Sequence, residues 1–542
     1  MAKAREAWDR IADVIVVGSG GAALSAALLA ADGGADVLVL EKADQIGGTT
    51  AVSGGVVWVP CNAHMAGIGV ADSREDALAY IRALSKGSEP DASLLEVFVD
   101  SAPEMIAHLE KATPLRMVPT RGFSDYYSPY DVPGAKPEGR SLEPVPFPVG
   151  AELPGWRDRL AGRITMPTLG AYTTLEEDLS GHPPDPAEIA RRQSLDIRPR
   201  GAALIGALMK GLLERGVDTW TGAPARELVI RDGAVIGVRC ERGSEPLRIG
   251  ARRGVVLACG GFEWDRDLVR AHIGYDLYPV SPPNNVGDGL RLAMQAGAQL
   301  ANMGSYWGTG AMIDPTLLRD GVPYPQFDAA RGAPGTLIVN RYGHRFVNEA
   351  VPYNDFPRTF GTFDPLRVAF ANPSPAWQIF DHRLKESMPI LSMQPGAPAP
   401  AWVPQAPGIR ELATRIGIDP DALEDSVRRF NEHAARGEDP DFRRHEIGLQ
   451  RAVAPRPVDA PPFYALPIYP GTLGTNGGPR IDADARVTRP GGGVVPGLYA
   501  AGNSAANAFG WAYPSGGGTL ANAMTFGYRA GRHAAAQPDR EL

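Results

Sequence analysis

The sequence predicts an α/β fold built around a parallel β-sheet. Three apolar runs of strand length lead directly into glycines: DVIVVGSGG from residue 13, GVVLACGGF from residue 254 and GLYAAGN from residue 497. Short β-branched runs are typical of strands buried on both faces, and helical segments between them favour parallel pairing. The chain has 542 residues, which exceeds the roughly 250 to 300 residues that one hydrophobic core serves, so we expect two domains.

Composition limits the possible partners. Apolar residues make up 44% of the chain, charged residues 21%, and the net charge is −8 without a basic cluster. A nucleic acid partner is therefore not expected. No apolar run approaches the roughly 20 residues of a membrane span, and the N-terminus is charged, so we expect a cytoplasmic protein. The three cysteines are widely spaced and lack a CxxC pattern, which predicts no metal site.

The first glycine loop carries the strongest motif. A predicted strand at 13–17 leads into GSGGAA and then into an alanine- and leucine-rich helix through Ala31. In this context Gly18 suits the tight turn, Gly20 a close approach of a pyrophosphate, and Ala23 the packing of helix on strand. The motif therefore predicts a dinucleotide site.

The second predicted strand, 35–40, ends at an acidic residue, Glu41. A carboxylate at this position accepts hydrogen bonds from ribose hydroxyls and repels a 2′-phosphate. The dinucleotide-contacting residues predicted from the two strand ends are Gly18, Ser19, Gly20, Gly21, Ala22, Glu41 and Lys42.

The segment after Glu41 distinguishes FAD from NAD. It reads KADQIGGTTAVSGG and reaches Gly55 without a new helix. Its amides and hydroxyls suit a long flavin dinucleotide, whereas NAD folds rarely need such a second loop. We therefore predict FAD as the cofactor, with further contacts from Gly47, Gly48, Thr49, Thr50, Ser53, Gly54 and Gly55.

More cofactor contacts are predicted at later strand ends and at the start of the last helix. The stretch WAYPSGGGTLANAMTFG from residue 511 predicts a helix whose N-terminal amides face the cofactor. The residues predicted to contact FAD in these segments are Ala225, Ala258, Gly260, Asp288, Gly502, Asn503, Gly518, Thr519 and Leu520.

The order GSGGAALSAAL, LEKADQIGGTTAVSGG, VVLACGGF, NVGDG, RYGHRFVNEA and GLYAAGN resembles the flavoprotein family of succinate dehydrogenase, fumarate reductase and the 3-ketosteroid Δ1-dehydrogenases. The resemblance spans nearly the whole chain. It implies a discontinuous Rossmann-like FAD-binding domain, residues 1–302 and 470–542, interrupted by an α+β catalytic (cap) domain at 303–469.

The resemblance also implies which residues react. After RFVNEAVP the place of the fumarate reductase arginine is taken by Tyr353, and LGTNGG from residue 473 contains no histidine. Both features match ketosteroid dehydrogenases, in which such a tyrosine abstracts the proton. In YPSGG the family pattern makes Tyr513 and the Gly517 amide the donors to the ketone, with glycine needed to admit a flat ring. Tyr126 is the predicted proton relay, with Tyr127 as its alternative.

The resulting hypothesis is an FAD-dependent dehydrogenase that introduces a double bond next to the carbonyl of a cyclic ketone, most readily a 3-ketosteroid. The polar stretch 151–200 is long for a segment that covers a sterol, so a smaller ring such as a cyclohexanone is an alternative substrate. Two further hypotheses are an ene-reductase like fumarate or urocanate reductase and a non-enzymatic flavin-binding protein. The external electron acceptor stays open.

Overall fold

The computed structural model describes residues 7–162, 171–180, 184–243, 245–328 and 330–542; parts of the polar stretch 151–200 therefore lie outside the described residues. The strands are β1 (Arg10–Val17), β2 (Val37–Leu40), β3 (Val57–Trp58), β4 (Met117–Pro119), β5 (Ser141–Pro144), β6 (Phe147–Pro148), β7 (Ile197–Arg198), β8 (Asp218–Trp220), β9 (Ala225–Arg231), β10 (Ala234–Arg242), β11 (Glu245–Leu257), β12 (Tyr278–Pro279), β13 (Leu300–Ala301), β14 (Tyr306–Arg319), β15 (Val322–Phe327), β16 (Thr336–Val339), β17 (Phe363–Asp364), β18 (Ala369–Phe370), β19 (Ala376–Asp381), β20 (Gln405–Ala406), β21 (Phe463–Thr475), β22 (Gly478–Pro479), β23 (Arg486–Thr488) and β24 (Val494–Ala500).

The helices alternate with these strands along the first half of the chain. They are α1 (Gly21–Asp32), α2 (Gly48–Ala51), α3 (His64–Gly67), α4 (Arg74–Ser85), α5 (Ser93–Ala112), α6 (Val149–Glu152), α7 (Leu175–Leu179), α8 (Pro186–Leu195), α9 (Arg200–Glu214), α10 (Arg266–Ile273), α11 (Asp288–Gln295), α12 (His382–Ser387), α13 (Ile409–Ile416), α14 (Pro420–Ala434) and α15 (Gly518–Ala535).

The first sheet has the parallel order β24-β11-β1-β2-β8. Antiparallel β23 borders β24, and the hairpin β9–β10 pairs with the first part of β11. Strand β1 is fully buried from Ala12 to Val17, as expected of a central parallel strand covered on both faces. The three strand-then-glycine units of the sequence are β1, β11 and β24, which lie side by side, so their glycine loops meet at one edge.

Helices α1 and α15 pack against each other at that edge, and glycines allow it. A Cβ on Gly527 would lie 2.2 Å from the Ala22 carbonyl oxygen, and one on Gly531 would lie 2.1 Å from that of Ala26. Only glycine permits such a close backbone approach. The packing places the first residues of both helices near the carboxyl ends of the strands.

The second sheet is antiparallel in the order β15-β14-β21-β19-β16, and helices α13 and α14 form an apolar core against it. The predicted fold class, a Rossmann-like parallel sheet with an additional α+β unit, is confirmed. Strand β21 runs from Phe463 to Thr475, across the expected boundary at residues 469 and 470, and the exact domain limits stay a prediction. Among the described residues, no helix combines the length and apolarity needed to cross a membrane.

Candidate active site

A single cavity of about 1410 Å³ extends from the glycine loops of the first sheet to the β14–β15 side of the second sheet. The predicted cofactor-contacting residues that line it are Gly18, Ser19, Gly20, Gly21, Ala22, Glu41, Lys42, Gly48, Thr49, Thr50, Ser53, Gly54, Gly55, Ala225, Ala258, Gly260, Asp288, Gly502, Asn503, Thr519 and Leu520. Tyr126, Tyr353, Tyr513 and Gly517 line the same cavity. Two residues predicted to contact the cofactor, Gly47 and Gly518, are not among the residues that line this cavity.

In the first glycine loop, Gly18 is closely packed and Gly20 borders open space. Gly18 has φ +109°, and a Cβ there would lie 2.3 Å from the carbonyl oxygen of Ala258 at the end of β11. A Cβ on Gly20 would meet only the Thr50 hydroxyl, 3.5 Å away, and the Gly47 carbonyl oxygen at 3.8 Å. Helix α1 begins after Gly20 without a side-chain cap and without acidic residues in its first turn, so its positive N-terminus faces the cavity.

The carboxylate predicted to hold ribose is tied to the glycine loop. Ser19 donates a hydrogen bond to Glu41 (2.5 Å) and accepts one from the Gly47 amide (2.9 Å). The Ala43 amide donates to the other Glu41 oxygen at 2.8 Å. Burial raises the pKa of Glu41, while the Ala43 and Ser19 hydrogen bonds oppose the rise.

Asp288 has a partner that the sequence did not indicate. Its carboxylate forms an ion pair with Lys42 at 2.6 Å, and the same ammonium donates to the Asn284 carbonyl at 2.6 Å. Both side chains are only about a third exposed, at 29% and 30%. Lys42 thus bridges the segment after β2 to the start of α11.

These features fit a flavin dinucleotide. A Cβ on Gly48, which has φ +47°, would meet no atom within 4 Å, so the backbone there borders the cavity directly. The Thr519 hydroxyl faces the Tyr513 phenol but is buried without a well-formed hydrogen bond to any described residue. A buried hydroxyl of this kind needs a polar partner. An uncapped helix start, an open glycine loop and such a hydroxyl together suit a long phosphate-containing ligand.

Three tyrosines from distant segments meet at the other end of the cavity. The Tyr126 hydroxyl donates to that of Tyr353 at 2.9 Å, and the Tyr353 hydroxyl donates to that of Tyr513 at 3.0 Å. Their rings are in contact, with centroids 5.3 Å, 5.8 Å and 5.4 Å apart. The structure therefore brings all three predicted tyrosines into one hydrogen-bonded chain.

Burial dominates the acidity of these phenols. It raises the pKa of Tyr126 and of Tyr353 well above 10, and the neighbouring phenols raise that of Tyr353 further. Burial also raises the pKa of Tyr513, although the Thr519 hydroxyl, the Tyr353 phenol and the Gly517 amide oppose the rise. The raised pKa values favour the neutral form of all three phenols at physiological pH.

Gly517 lies at a position where the backbone itself requires glycine. It is the N-cap of α15 with φ +94°, a left-handed conformation that favours glycine. A Cβ there would lie 2.7 Å from backbone atoms of Val56 and Trp58. Close packing against this segment is therefore one reason for glycine here, and the expectation that glycine also admits a flat ring stays a prediction. The Gly517 amide is nonetheless directed at the Tyr513 hydroxyl.

Tyr127, the alternative to Tyr126, lies outside the phenol chain. Its hydroxyl donates to the Asp355 carboxylate at 2.7 Å. Tyr126 is held from behind by its neighbour Asp125, which accepts hydrogen bonds from Trp58 at 2.7 Å and from Arg140 at 2.8 Å. This buried network, which sequence reasoning missed, fixes the loop that carries Tyr126.

A second group that the sequence did not reveal surrounds the Tyr353 segment. Glu349 is fully buried and is held by Arg345 at 2.7 Å and by Arg444 at 3.3 Å, and these arginines lower its pKa against the effect of burial. Arg331 and Asp328 line the cavity beside it. No local pattern marked Arg331, Asp328 or Arg444.

Fold and cavity together define a flavin-dependent oxidoreductase: a doubly covered parallel sheet with dinucleotide loops, and polar side chains converging at the end of the cavity beyond them. The model of the FAD binding domain family matches residues 13–520. The chain belongs to this family, and FAD is its cofactor.

Relatives of known activity are similar over nearly the full length. The chain is 36% identical to a 3-oxosteroid 1-dehydrogenase of Mycobacterium tuberculosis, over 97% of this chain and 98% of that protein. It is 37% identical to a 4-oxocyclohexanecarboxylate 2-dehydrogenase of Sinomonas cyclohexanicum, over 97% and 93%. The crystal structure of 3-ketosteroid delta1-dehydrogenase from Sterolibacterium denitrificans in complex with 1,4-androstadiene-3,17-dione superposes with a TM-score of 0.89 at 34% identity, over 97% and 100%.

Proposed function

We propose that the enzyme desaturates a cyclic ketone next to its carbonyl, with a 3-ketosteroid as the preferred substrate class. The observation that carries this proposal is the chain of Tyr126, Tyr353 and Tyr513, joined at 2.9 Å and 3.0 Å beside the Gly517 amide. The activities of the relatives at 36% and 34% identity support it.

In this proposal the ketone oxygen lies between the Tyr513 hydroxyl and the Gly517 amide. Both groups are donors and line the cavity, and the Gly517 amide lies close to the Tyr513 hydroxyl, so one ketone oxygen placed beside them accepts from both. As the α-proton leaves, negative charge accumulates on the ketone oxygen, and donors already in place stabilise it most in the transition state. The first turn of α15 adds the partial positive charge of a helix N-terminus.

Tyr353 receives the α-proton. The buried phenol has a raised pKa, so only a small fraction is ionised at neutral pH, and proton transfer must be linked to loss of the phenol's own proton. Tyr126 lies 2.9 Å from Tyr353 and donates to it in the structure. The proton that Tyr353 loses therefore passes to Tyr126 when this hydrogen bond reverses, and Tyr126 releases its own proton into the cavity that it lines. The bound flavin supplies the hydride acceptor for the neighbouring carbon.

The lining of the cavity argues against the reductase hypothesis. Among the described residues, no histidine lines the cavity. The arginine beside the phenols, Arg331, is already paired with Asp328 and donates to two backbone carbonyls, so a dicarboxylate would lack a free cationic clamp there. A cyclic ketone requires only neutral donors and one base.

The ring size of the substrate distinguishes the two remaining candidates. Purified FAD-loaded enzyme is incubated with an artificial electron acceptor and, separately, with 4-androstene-3,17-dione, 5α-androstane-3,17-dione, cyclohexanone and 4-oxocyclohexanecarboxylate. We expect desaturation of the steroids at the highest kcat/KM. Preference for the six-membered ketones would identify the smaller ring as substrate, which the 37% identical Sinomonas relative favours. Turnover of none of the four would refute the proposal.

A further inference from the structure

The side chain of Arg331 binds the backbone of the segment that leads to Tyr353. Its Nη2 donates to the Val351 carbonyl at 2.9 Å, and its Nη1 donates to the Glu349 carbonyl. The planar fork of a guanidinium suits two acceptors at once, whereas a lysine ammonium is a flexible point charge. Arg331 thus fixes two carbonyls within the turn of chain that precedes the phenol.

Two aromatic rings link Arg331 to the surroundings of Tyr353. The guanidinium lies 4.9 Å from the ring centre of Phe356, which lies shortly after Tyr353 in the chain. Phe327, which is close to Arg331 in sequence, packs its ring edge-on against that of Tyr353 at 5.1 Å. Phe327 therefore contacts the Tyr353 ring directly, and Arg331 contacts the backbone that precedes Tyr353.

The arginine is kept in place by a buried counterion. Its Nε lies 3.2 Å from Asp328 Oδ2, and the two side chains are 6% and 0% exposed. The backbone amides of Arg331 and Ala330 approach the Asp328 carboxylate, but neither of its oxygens receives a well-formed hydrogen bond from the described residues. A buried ion pair with so few hydrogen bonds is a poor source of stability, so stability alone does not account for it.

We propose that Arg331 is a positioning residue that holds the Tyr353 phenol in line with Tyr126 and Tyr513. It acts through the backbone of residues 349–351 and not by contact with the reacting atoms. The proposal rests on the proposed function, because it assigns Tyr353 as the base. A displacement of a reacting group by about 1 Å can lower a rate by about 10²-fold.

The segment has a second anchor, which makes the test practicable. Glu349 is held through its carboxylate by Arg345 and Arg444. Loss of Arg331 therefore leaves the loop attached while freeing its two carbonyls. We expect Arg331→Ala to fold and to bind FAD, and Arg331→Lys to retain the charge but only part of the alignment.

The kinetic test compares these variants with wild type on whichever of the four ketones the enzyme oxidises best. For Arg331→Ala we expect kcat to fall by about 10²-fold with KM within threefold, and a larger isotope effect when the α-carbon carries deuterium. Guanidinium chloride, added at concentrations that leave the wild type active, should raise the kcat of Arg331→Ala at least tenfold. Arg456→Ala, which removes an ion pair with Asp381 away from this segment, is the matched control and should keep kcat. A kcat within threefold of wild type in Arg331→Ala would overturn the proposal.

A second measurement does not depend on turnover. 3-Fluorotyrosine is placed at position 353, and its ¹⁹F resonance is recorded in wild type, Arg331→Ala and Arg331→Lys. The same label at position 528, where the phenol donates to Glu104, is the control. We expect the resonance at 353 to shift or broaden in Arg331→Ala and to recover with guanidinium, while that at 528 stays unchanged. An unchanged resonance at 353 would overturn the positioning role even if kcat fell. If no ketone is oxidised but the resonance responds, the proposed function fails and the positioning role stands.

Discussion

The two ends of the cavity are built by different means. The dinucleotide end consists mainly of backbone: glycines of the first loop, the uncapped start of α1 and the second loop through Gly55. The reacting end consists of side chains, Tyr126, Tyr353 and Tyr513, which come from segments separated by 227 and 160 residues. Backbone contacts survive changes in most neighbouring side chains, whereas each hydroxyl removed from the chain of three phenols removes a group that takes part in the reaction.

The largest effects are therefore expected at the reacting end. Tyr513→Phe removes one donor to the ketone oxygen and should lower kcat by about 10² to 10³-fold, which is about 3 to 4 kcal/mol in the barrier. Tyr353→Phe removes the base and should cost at least 10²-fold. Both variants should retain FAD, measured from the visible spectrum. Near-normal turnover of either one would move the chemistry away from these phenols.

A pH effect on stability sharpens the comparison, because each end holds a buried carboxylate. Glu41 accepts two hydrogen bonds, whereas Asp328 accepts no well-formed one from the described residues, and burial raises the pKa of Asp328 to about 6. The folded protein thus binds more protons at Asp328 than the unfolded chain does between the ordinary pKa near 4 and pH 6, so stability falls as pH rises through this range. The loss amounts to about 2 to 3 kcal/mol.

Asp328→Asn should remove that part of the pH dependence. The measurement is the free energy of unfolding in urea at pH 4.5 and pH 7, taken as the difference between variant and wild type. Asp320→Asn, at an exposed turn of the β14–β15 hairpin, is the control and should follow wild type. If the free energy of unfolding changed equally with pH in Asp328→Asn and wild type, ionisation of Asp328 would cost the folded protein little stability.

The two neighbouring tyrosines provide a smaller contrast. Tyr126→Phe breaks the phenol chain at its outer member and should slow turnover by about tenfold or more, because Tyr353 loses its partner for the proton. Tyr127→Phe removes a hydroxyl that donates to Asp355 and should stay within threefold of wild type. Steady-state rates with saturating ketone and acceptor decide between them. The opposite ranking would make Tyr127 the relay.

The same contrast explains what the sequence could reveal. Cofactor loops are contiguous in the chain, so a strand, a glycine run and a helix within one segment predict both the fold and FAD. The phenol chain has no local pattern, and only the family resemblance indicated its members. The contacts of Arg331, Arg140 and Asp125 could not be predicted, since their partners are decided by tertiary packing. The packing reason for Gly517 was missed for the same cause: its contact with Val56 and Trp58 arises only when α15 packs on β3.

The smallest expected effect lies at the dinucleotide end and tests the comparison most directly. Glu41→Gln keeps the shape of the side chain but removes the charge that Ser19 and the Ala43 amide face, so ribose hydroxyls lose a charged acceptor. We expect the Kd for FAD to rise by about five- to tenfold, equivalent to about 1 to 1.4 kcal/mol, and kcat at saturating FAD to stay unchanged. Fluorescence titration of the apoprotein measures the first, and turnover with added FAD the second. A fall in kcat that excess FAD does not correct would show that the two ends are coupled, because a change confined to binding the dinucleotide cannot alter a step that Tyr353 and Tyr513 perform at the far end of the cavity.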